Sequence, residues 1–350
     1  DAVSAGEVTP RLFETWLATV QILRAGGKVE RNSSIDASFI EQLARDETRP
    51  AMLRALALPR IKEPGKESNT QLLLKLAAAD GDEPLRREAI RSLAALPSKQ
   101  AAGVLLNIAI DTSQPARLRC EAVLALSNQP DTATALLPLL DDPASSVAVQ
   151  TARTLRFAAT MPDVRAAMER KLAAIGKTDD RLADALQFAL GKTTELPPAT
   201  VEEWVKRVGD GGDIEAGERV FFSSAATCVT CHCIQQRGGS IGPDLSVIAR
   251  VANREQLIHS IVKPSDDVAP QFQGWMVSTK DGQSIIGLQG HGRSGGAVSI
   301  ITFDGKTLNI PGSNVSSFQA MPASIMPEGL PLTMSPGAFR DLIAYLESLR

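Results

Sequence analysis

The sequence predicts a mainly α protein built in two parts. Residues 1–195 read as a stack of helical hairpins, residues 196–212 as a linker, and residues 213–350 as a second α-helical domain with a small antiparallel sheet inserted at about 271–315. Three observations carry this. First, aromatic residues make up only 4% of the chain, so its core must be filled by Leu, Ala, Val and Ile, as in stacked small helices. Second, prolines that open apolar-periodic segments recur about every 30 residues, at Pro84, Pro115 and Pro143. Third, the texture changes after residue 200, where glycine becomes more frequent and short β-branched runs are broken by Asp-Gly pairs.

In chain order, the start "DAVSAGEVTPRLF" lacks a basic region followed by an apolar one. An opening Asp in place of Met leads us to expect a fragment or a mature form, with any export signal removed or lying upstream. The segments "DEPLRREAIRSLAAL", "SQPARLRCEAVLALS" and "DDPASSVAVQTARTL" then resemble one another. Each sets a polar residue before a Pro that opens a helix, with apolar positions three and four apart, and a second helix such as "TATALLPLLDD" follows. Pro84, Pro115 and Pro143 are expected in first turns, where a missing N–H costs nothing. A fainter copy begins at "DETRPAMLRALAL", and "DDRLADALQFAL" closes the series. The pattern resembles HEAT-type repeats, which implies hairpins stacked into a solenoid because a single hairpin cannot bury its own apolar stripe. An irregular helical bundle is the competing reading; both make this part a scaffold.

"KTTELPPATVEEW", with paired prolines at 197 and 198, reads as the linker. Beyond it, "WMVSTKDGQSIIGLQG" and "AVSIITFDGKTLNI" read as hairpins turning at Asp281-Gly282 and Asp304-Gly305. "SPGAFRDLIAYLESLR" reads as a helix with Ser335 as its N-cap and Pro336 at its first position.

Charge narrows the function. The net charge of −3 falls in residues 201–350, which hold 12 Lys/Arg against 15 Asp/Glu, and no basic tract is present. A nucleic-acid partner is therefore not expected. No stretch is apolar for the length that a transmembrane segment requires.

The chemistry concentrates in "CVTCHC" at 228–233, which holds three of the four cysteines and one of the three histidines. A zinc ribbon needs a second ligand cluster, and the one other cysteine, Cys120, sits inside a repeat helix. A redox CxxC needs a preceding strand, whereas "DIEAGERVFFSSAA" leads in as a helix. A disulfide framework does not suit so large and cysteine-poor a chain. In C-x-x-C-H the two thiols can add to haem vinyl groups as thioethers while the next residue offers its imidazole to the iron. Cys228 and Cys231 are then the anchors of one covalent haem c and His232 the proximal ligand.

The flanks resemble a class I c-type cytochrome in order: the helix "EAGERVFF", the attachment site, "GPDLS" at 242–246, a Met-bearing loop, and a last helix with "AYL". More narrowly, "GPDLS", "SIVKPSDDVAPQF", "STKDGQSIIGL" and "SIMPEGLPLTMSPGAFRDLIAYLESL" resemble the haem-binding C-terminal domain of large exported planctomycete and verrucomicrobial proteins. In those proteins helical repeats and, further upstream, a dehydrogenase-like β-propeller commonly precede it. The resemblance covers about residues 205–350. It implies that Gly217 packs against the face carrying Leu342, Tyr345 and Leu346. It also implies that Pro243 gives its carbonyl to the second ring nitrogen of His232, fixing ring orientation and ligand basicity.

Candidates for the second axial ligand are Met276, Met321, Met326, Met334, His259 and His291. Met326, in "SIMPEGL", corresponds to the family's ligand loop and is the expected ligand, so iron would be held by His232 and Met326. Met334 is expected to pack. His259 reads as a surface or capping residue and His291 as solvated. Arg250 could neutralise a haem propionate, or stand as an exposed helix residue. Trp275 could pack on the haem edge or start the inserted sheet. Cys233 reads as a small, half-buried residue or, more sharply, as a thiol available for an intermolecular disulfide.

The expected function is electron transfer by one haem c with His/Met ligation, as the C-terminal part of a larger exported dehydrogenase-like protein. The partners expected are a redox partner protein or an upstream dehydrogenase domain, and a protein partner for the repeats. No catalytic residue is assigned, since such a module needs only to place and tune its cofactor. The alternatives are a peroxidase-like haem enzyme and a redox-sensing interaction scaffold. Thioether attachment in bacteria implies a periplasmic or otherwise exported location.

Overall fold

The computed structural model describes residues 8–24, 37–96, 98–175, 179–193, 196–290 and 296–350. The chain divides into two compact units, residues 1–192 and 193–350. The protein is mainly helical, with a small antiparallel sheet in its second unit. Among the described residues, no helix is long and apolar enough to cross a membrane.

In the first unit, paired helices share a core of Leu, Ala, Val and Ile, including Leu73, Ile90, Leu105, Leu118, Val123 and Leu155. Side chains start these helices where the sequence places capping residues. Asp82 Oδ1 accepts Leu85 N–H (3.2 Å), and Ser98 Oγ accepts Ala101 N–H (3.1 Å). Asp179 Oδ1 accepts Leu182 N–H (3.0 Å), opening the closing helix Asp180–Ala189. Each such bond satisfies one of the four free N–H groups at a helix start.

The three prolines do not all behave alike. Pro84 sits in the first turn of Glu83–Leu93 and Pro115 is itself the N-cap of Ala116–Ala125. Pro143 lies outside the first turn, because Ser145–Leu155 has Ala144 as its N-cap. The physical reason is Asp142, whose Oδ1 accepts Ala144 N–H at 3.0 Å and so holds the chain in a turn before the helix begins. "TATALLPLLDD" forms one short α turn, Ala133–Leu136, then tightens into a 3₁₀ segment, Leu137–Asp141, at Pro138.

A buried arginine recurs through this unit. Arg54 Nε donates to Ala44 O (3.1 Å), Arg86 Nε to Ala77 O (3.4 Å) and Arg119 Nε to Ala109 O (2.9 Å). Each acceptor is the penultimate residue of a helix, Ala37–Arg45, Glu67–Ala78 or Lys99–Ile110. Each arginine therefore satisfies a carbonyl that has no partner within its helix and sets a cation at the negative end of the helix dipole. Arg119 also forms a bidentate pair with Asp142, both side chains being 3% exposed.

In the second unit, helices Val201–Val208, Ile214–Phe221, Arg254–Val262 and Pro336–Ser348 surround a core of Trp204, Phe221, Ile258, Phe339, Leu342 and Tyr345. The expected linker at 196–212 contains the first of these helices. Its apolar residues 201, 204, 205 and 208 lie on one face, and Trp204 meets the Phe339 ring edge-on at 5.7 Å, so burial outweighs the paired prolines just before it. Gly217 faces the last helix so closely that a Cβ there would lie 1.9 Å from Asp341 O and 2.8 Å from Tyr345 Cβ. Asp341 Oδ1 also accepts Asp213 N–H at 2.9 Å, fastening the start of one helix to the middle of the other.

A two-residue hairpin, β1 (Cys233–Ile234) with β2 (Arg237–Gly238), follows the CVTC turn. The inserted sheet holds β3 (Gly274–Thr279), β4 (Ser284–Gln289), β5 (Val298–Ile301), β6 (Thr307–Ile310) and β7 (Val315–Ala320), in the antiparallel order β6-β5-β4-β3-β7. It runs beyond the expected end near 315 because β7 returns to pair with β3, Val277 opposite Phe318. Its own small core is Val277, Ile300 and Ile310, and Trp275 belongs to it, stacked on Phe318 at 4.4 Å.

Candidate functional site

The helix Ile214–Phe221, capped by Asp213 on Ala216 N–H (3.0 Å), delivers the chain to the cysteine motif. Thr227 takes a left-handed conformation (φ 58°) and starts the single turn Cys228–Cys231. Backbone strain of this kind costs about 1–3 kcal/mol and clusters at functional sites. The spacing of three sets Cys228 and Cys231 on the same side of the turn. His232 leaves it in an extended conformation, its N–H still bonded to Cys228 O at 3.0 Å.

The loop after the hairpin folds back on His232. Gly242 N–H donates to Cys231 O (2.7 Å), and a Cβ at Gly242 would lie 2.8 Å from both Cε1 and Nδ1 of the imidazole. Only glycine lets the loop approach the ring this closely. The next residue, Pro243, presents its carbonyl oxygen 3.0 Å from His232 Nδ1. A carbonyl only accepts, so Nδ1 carries the proton and Nε2 keeps its lone pair. Burial pulls the His232 pKa down and so favours the neutral imidazole, while the Pro243 bond works in the opposite direction.

Among the described residues, none of the four cysteines forms a disulfide. Burial pushes the Cys228 thiol up to about 12 and raises that of Cys231. Cys233 is raised by burial first, then by the charge of Asp244 and a hydrogen bond to it. A redox dithiol acts through a thiolate, which burial here disfavours. Among the described residues, no three His, Cys, Asp or Glu side chains converge as a metal ion would require. Two neutral thiols on one turn, followed by a neutral imidazole with Nε2 free, fit thioether anchors and an axial ligand of haem c.

Of the residues named from sequence, Cys228, Cys231, His232 and Pro243 lie together. Arg250 is exposed at the end of the turn Ile248–Arg250. Met326 is half-buried, its N–H donating to Ser324 Oγ (3.1 Å), while Ser324 N–H donates to Ser265 Oγ (3.2 Å). Met334 is buried in the helical core, and Met321 packs beside Gly274 at the start of β3. Met276 lies within β3 opposite Ile286. His259 is half exposed and bonds Asp266 Oδ2 at 3.0 Å. His291 lies outside the described residues. Sequence reading missed the contact of Gly242 with the imidazole and the bonds around Asp244 and Ser246. Asp two residues before Ser, in "GPDLS", is a turn signature that could have pointed to the latter.

A model of the HEAT repeats matches residues 70–156. The first unit therefore carries HEAT-like repeats. A search of curated proteins found no match to the chain.

Proposed function

We propose that the second unit is a c-type cytochrome domain that transfers electrons through one haem c, attached through Cys228 and Cys231 and ligated by His232 and Met326. The observation that carries this reading is the Pro243 carbonyl on His232 Nδ1, which leaves Nε2 as the ligand atom of a ring already fixed in orientation. Bound haem would supply a one-electron iron couple. The protein's own work is to hold the imidazole neutral, orient it and keep it from water. Met326 is favoured as second ligand on the resemblance of "SIMPEGL" to the family's ligand loop, and Met334 is set aside because it is buried in the helical core, whereas Met326 stands half-buried in a loop.

The reading implies an exported location, where thioether attachment takes place, and a redox partner protein or a dehydrogenase domain on the same polypeptide. HEAT-like repeats commonly mediate protein interactions, which supports a protein partner for the first unit. The test is expression with a haem-attachment system. Haem should stay with the denatured polypeptide on electrophoresis and be lost in the Cys228→Ser/Cys231→Ser double variant. Cyanide should leave the reduced and oxidised spectra of the parent protein unchanged and bind at once to Met326→Ala. A polypeptide that never retains haem overturns the proposal. Immediate cyanide binding to the parent favours a peroxidase-like enzyme with an open site, and an unchanged Met326→Ala spectrum removes Met326 as ligand.

A further inference from the structure

We infer that Asp244 and Ser246 form a clamp that positions the Pro243 carbonyl on His232, so that the strength of the axial imidazole is set from outside its own hydrogen bond. This deepens the proposed function and rests on it where it speaks of iron. Pro243 has no N–H of its own, so its peptide must be oriented by its neighbours. On one side Gly242 N–H donates to Cys231 O (2.7 Å), and on the other Leu245 N–H donates to Cys233 O (2.9 Å). These bonds tie the loop to residues either side of His232.

The second of them is then braced by side chains. Asp244 Oδ1 accepts Ser246 N–H at 2.7 Å and Ser246 Oγ–H at 2.5 Å. The Ser246 oxygen in turn accepts Gln235 N–H at 2.7 Å. Gln235 and Gln236 turn the β1–β2 hairpin with positive φ angles of 51° and 66°, a conformation that side chains other than Gly, Asn and Asp rarely adopt. The serine hydroxyl therefore relays from the carboxylate to a strained hairpin tip. If the clamp loosens, the Nδ1–H···O=C bond lengthens, the imidazole becomes a poorer donor, and the ferric state loses more than the ferrous.

The test uses the haem-loaded full chain and its Asp244→Ala, Asp244→Asn, Ser246→Ala, Ser246→Thr and Cys233→Ser variants. Asp244→Ala and Ser246→Ala should raise the reduction potential and speed exchange of the His232 Nδ1 proton by about fivefold or more, the worth of one ordinary hydrogen bond. Asp244→Asn and Ser246→Thr, which keep the acceptor and the hydroxyl, should restore parent behaviour, and Cys233→Ser should match the parent. A purely structural role would lower thermal stability without moving the potential. Unchanged potential and unchanged exchange in both alanine variants overturn the clamp, and if Asp244→Ala fails to fold, Ser246→Ala decides. Should the chain carry no haem, the functional reading falls. The clamp is then judged by amide exchange at Gly242 and Leu245, which must quicken in Ser246→Ala for it to stand.

Discussion

The two units are stabilised in different ways. In the first, each contact has copies: Arg54, Arg86 and Arg119 make the same bond to a helix end, and the core is built from Leu and Ala in every hairpin. In the second, the decisive contacts occur once, at Gly217 against Asp341, Gly242 against the His232 ring, and Pro243 on Nδ1. Repetition suits a scaffold, where each repeat needs only to stack on its neighbours. A site that must hold one ring in one orientation needs contacts that nothing else in the chain duplicates.

Arg119→Ala tests this difference with the largest expected effect. It leaves the Asp142 carboxylate buried without its cation and Ala109 O without its donor, which should cost about 3–5 kcal/mol. Urea denaturation monitored by far-ultraviolet circular dichroism measures it. Replacing both partners, as Arg119→Met/Asp142→Leu, should recover most of the loss, because no charge is then left unpaired. Failure of the double variant to recover would mean that the bonds these side chains make to the backbone, Arg119 to Ala109 O and Asp142 from Ala144 N–H, carry more of the stability than the ion pair.

Gly217→Ala should come next, at about 3 kcal/mol, near the top of the usual range for overpacking. The added methyl would lie 1.9 Å from a backbone carbonyl, which cannot swing away as a flexible side chain can. Hydrogen exchange should rise in Ile214–Phe221 and Pro336–Ser348, the two helices that would have to separate. An unchanged exchange pattern would show that the helix crossing tolerates a side chain and that the second unit depends less on single contacts than the geometry indicates.

These differences also explain what could be read from the sequence. Local features were legible: the hairpins, the cap at Ser335, and the strand pairs around Asp281-Gly282 and Asp304-Gly305. So was the CxxCH spacing, because each of these signals lies within a few residues. The helix Val201–Val208 was hidden behind paired prolines although its apolar spacing was regular. Strand β7, "VSSFQA", has weak alternation and exists because β3, some 40 residues earlier, offers it an edge. The arginine series escaped notice because one residue per hairpin makes no local pattern. The bonds of Asp244 and Ser246 are short in sequence, yet their purpose depends on a hairpin tip that only the fold brings near.

Gly103→Ala gives the smallest effect and the sharpest contrast, since it repeats the Gly217 substitution in a helix of the repeat unit. Gly103 lies within Lys99–Ile110, exposed, with nothing within 4 Å of the position its Cβ would take. Alanine there removes the entropic penalty of a helical glycine and should stabilise the protein by about 1 kcal/mol. The same change would then be favourable in one unit and costly in the other, and the difference lies wholly in what the methyl meets. A loss of stability at Gly103, read from the same urea titrations, would show that this exposed face of the repeats is packed in solution, as it would be if a partner or a second copy covered it.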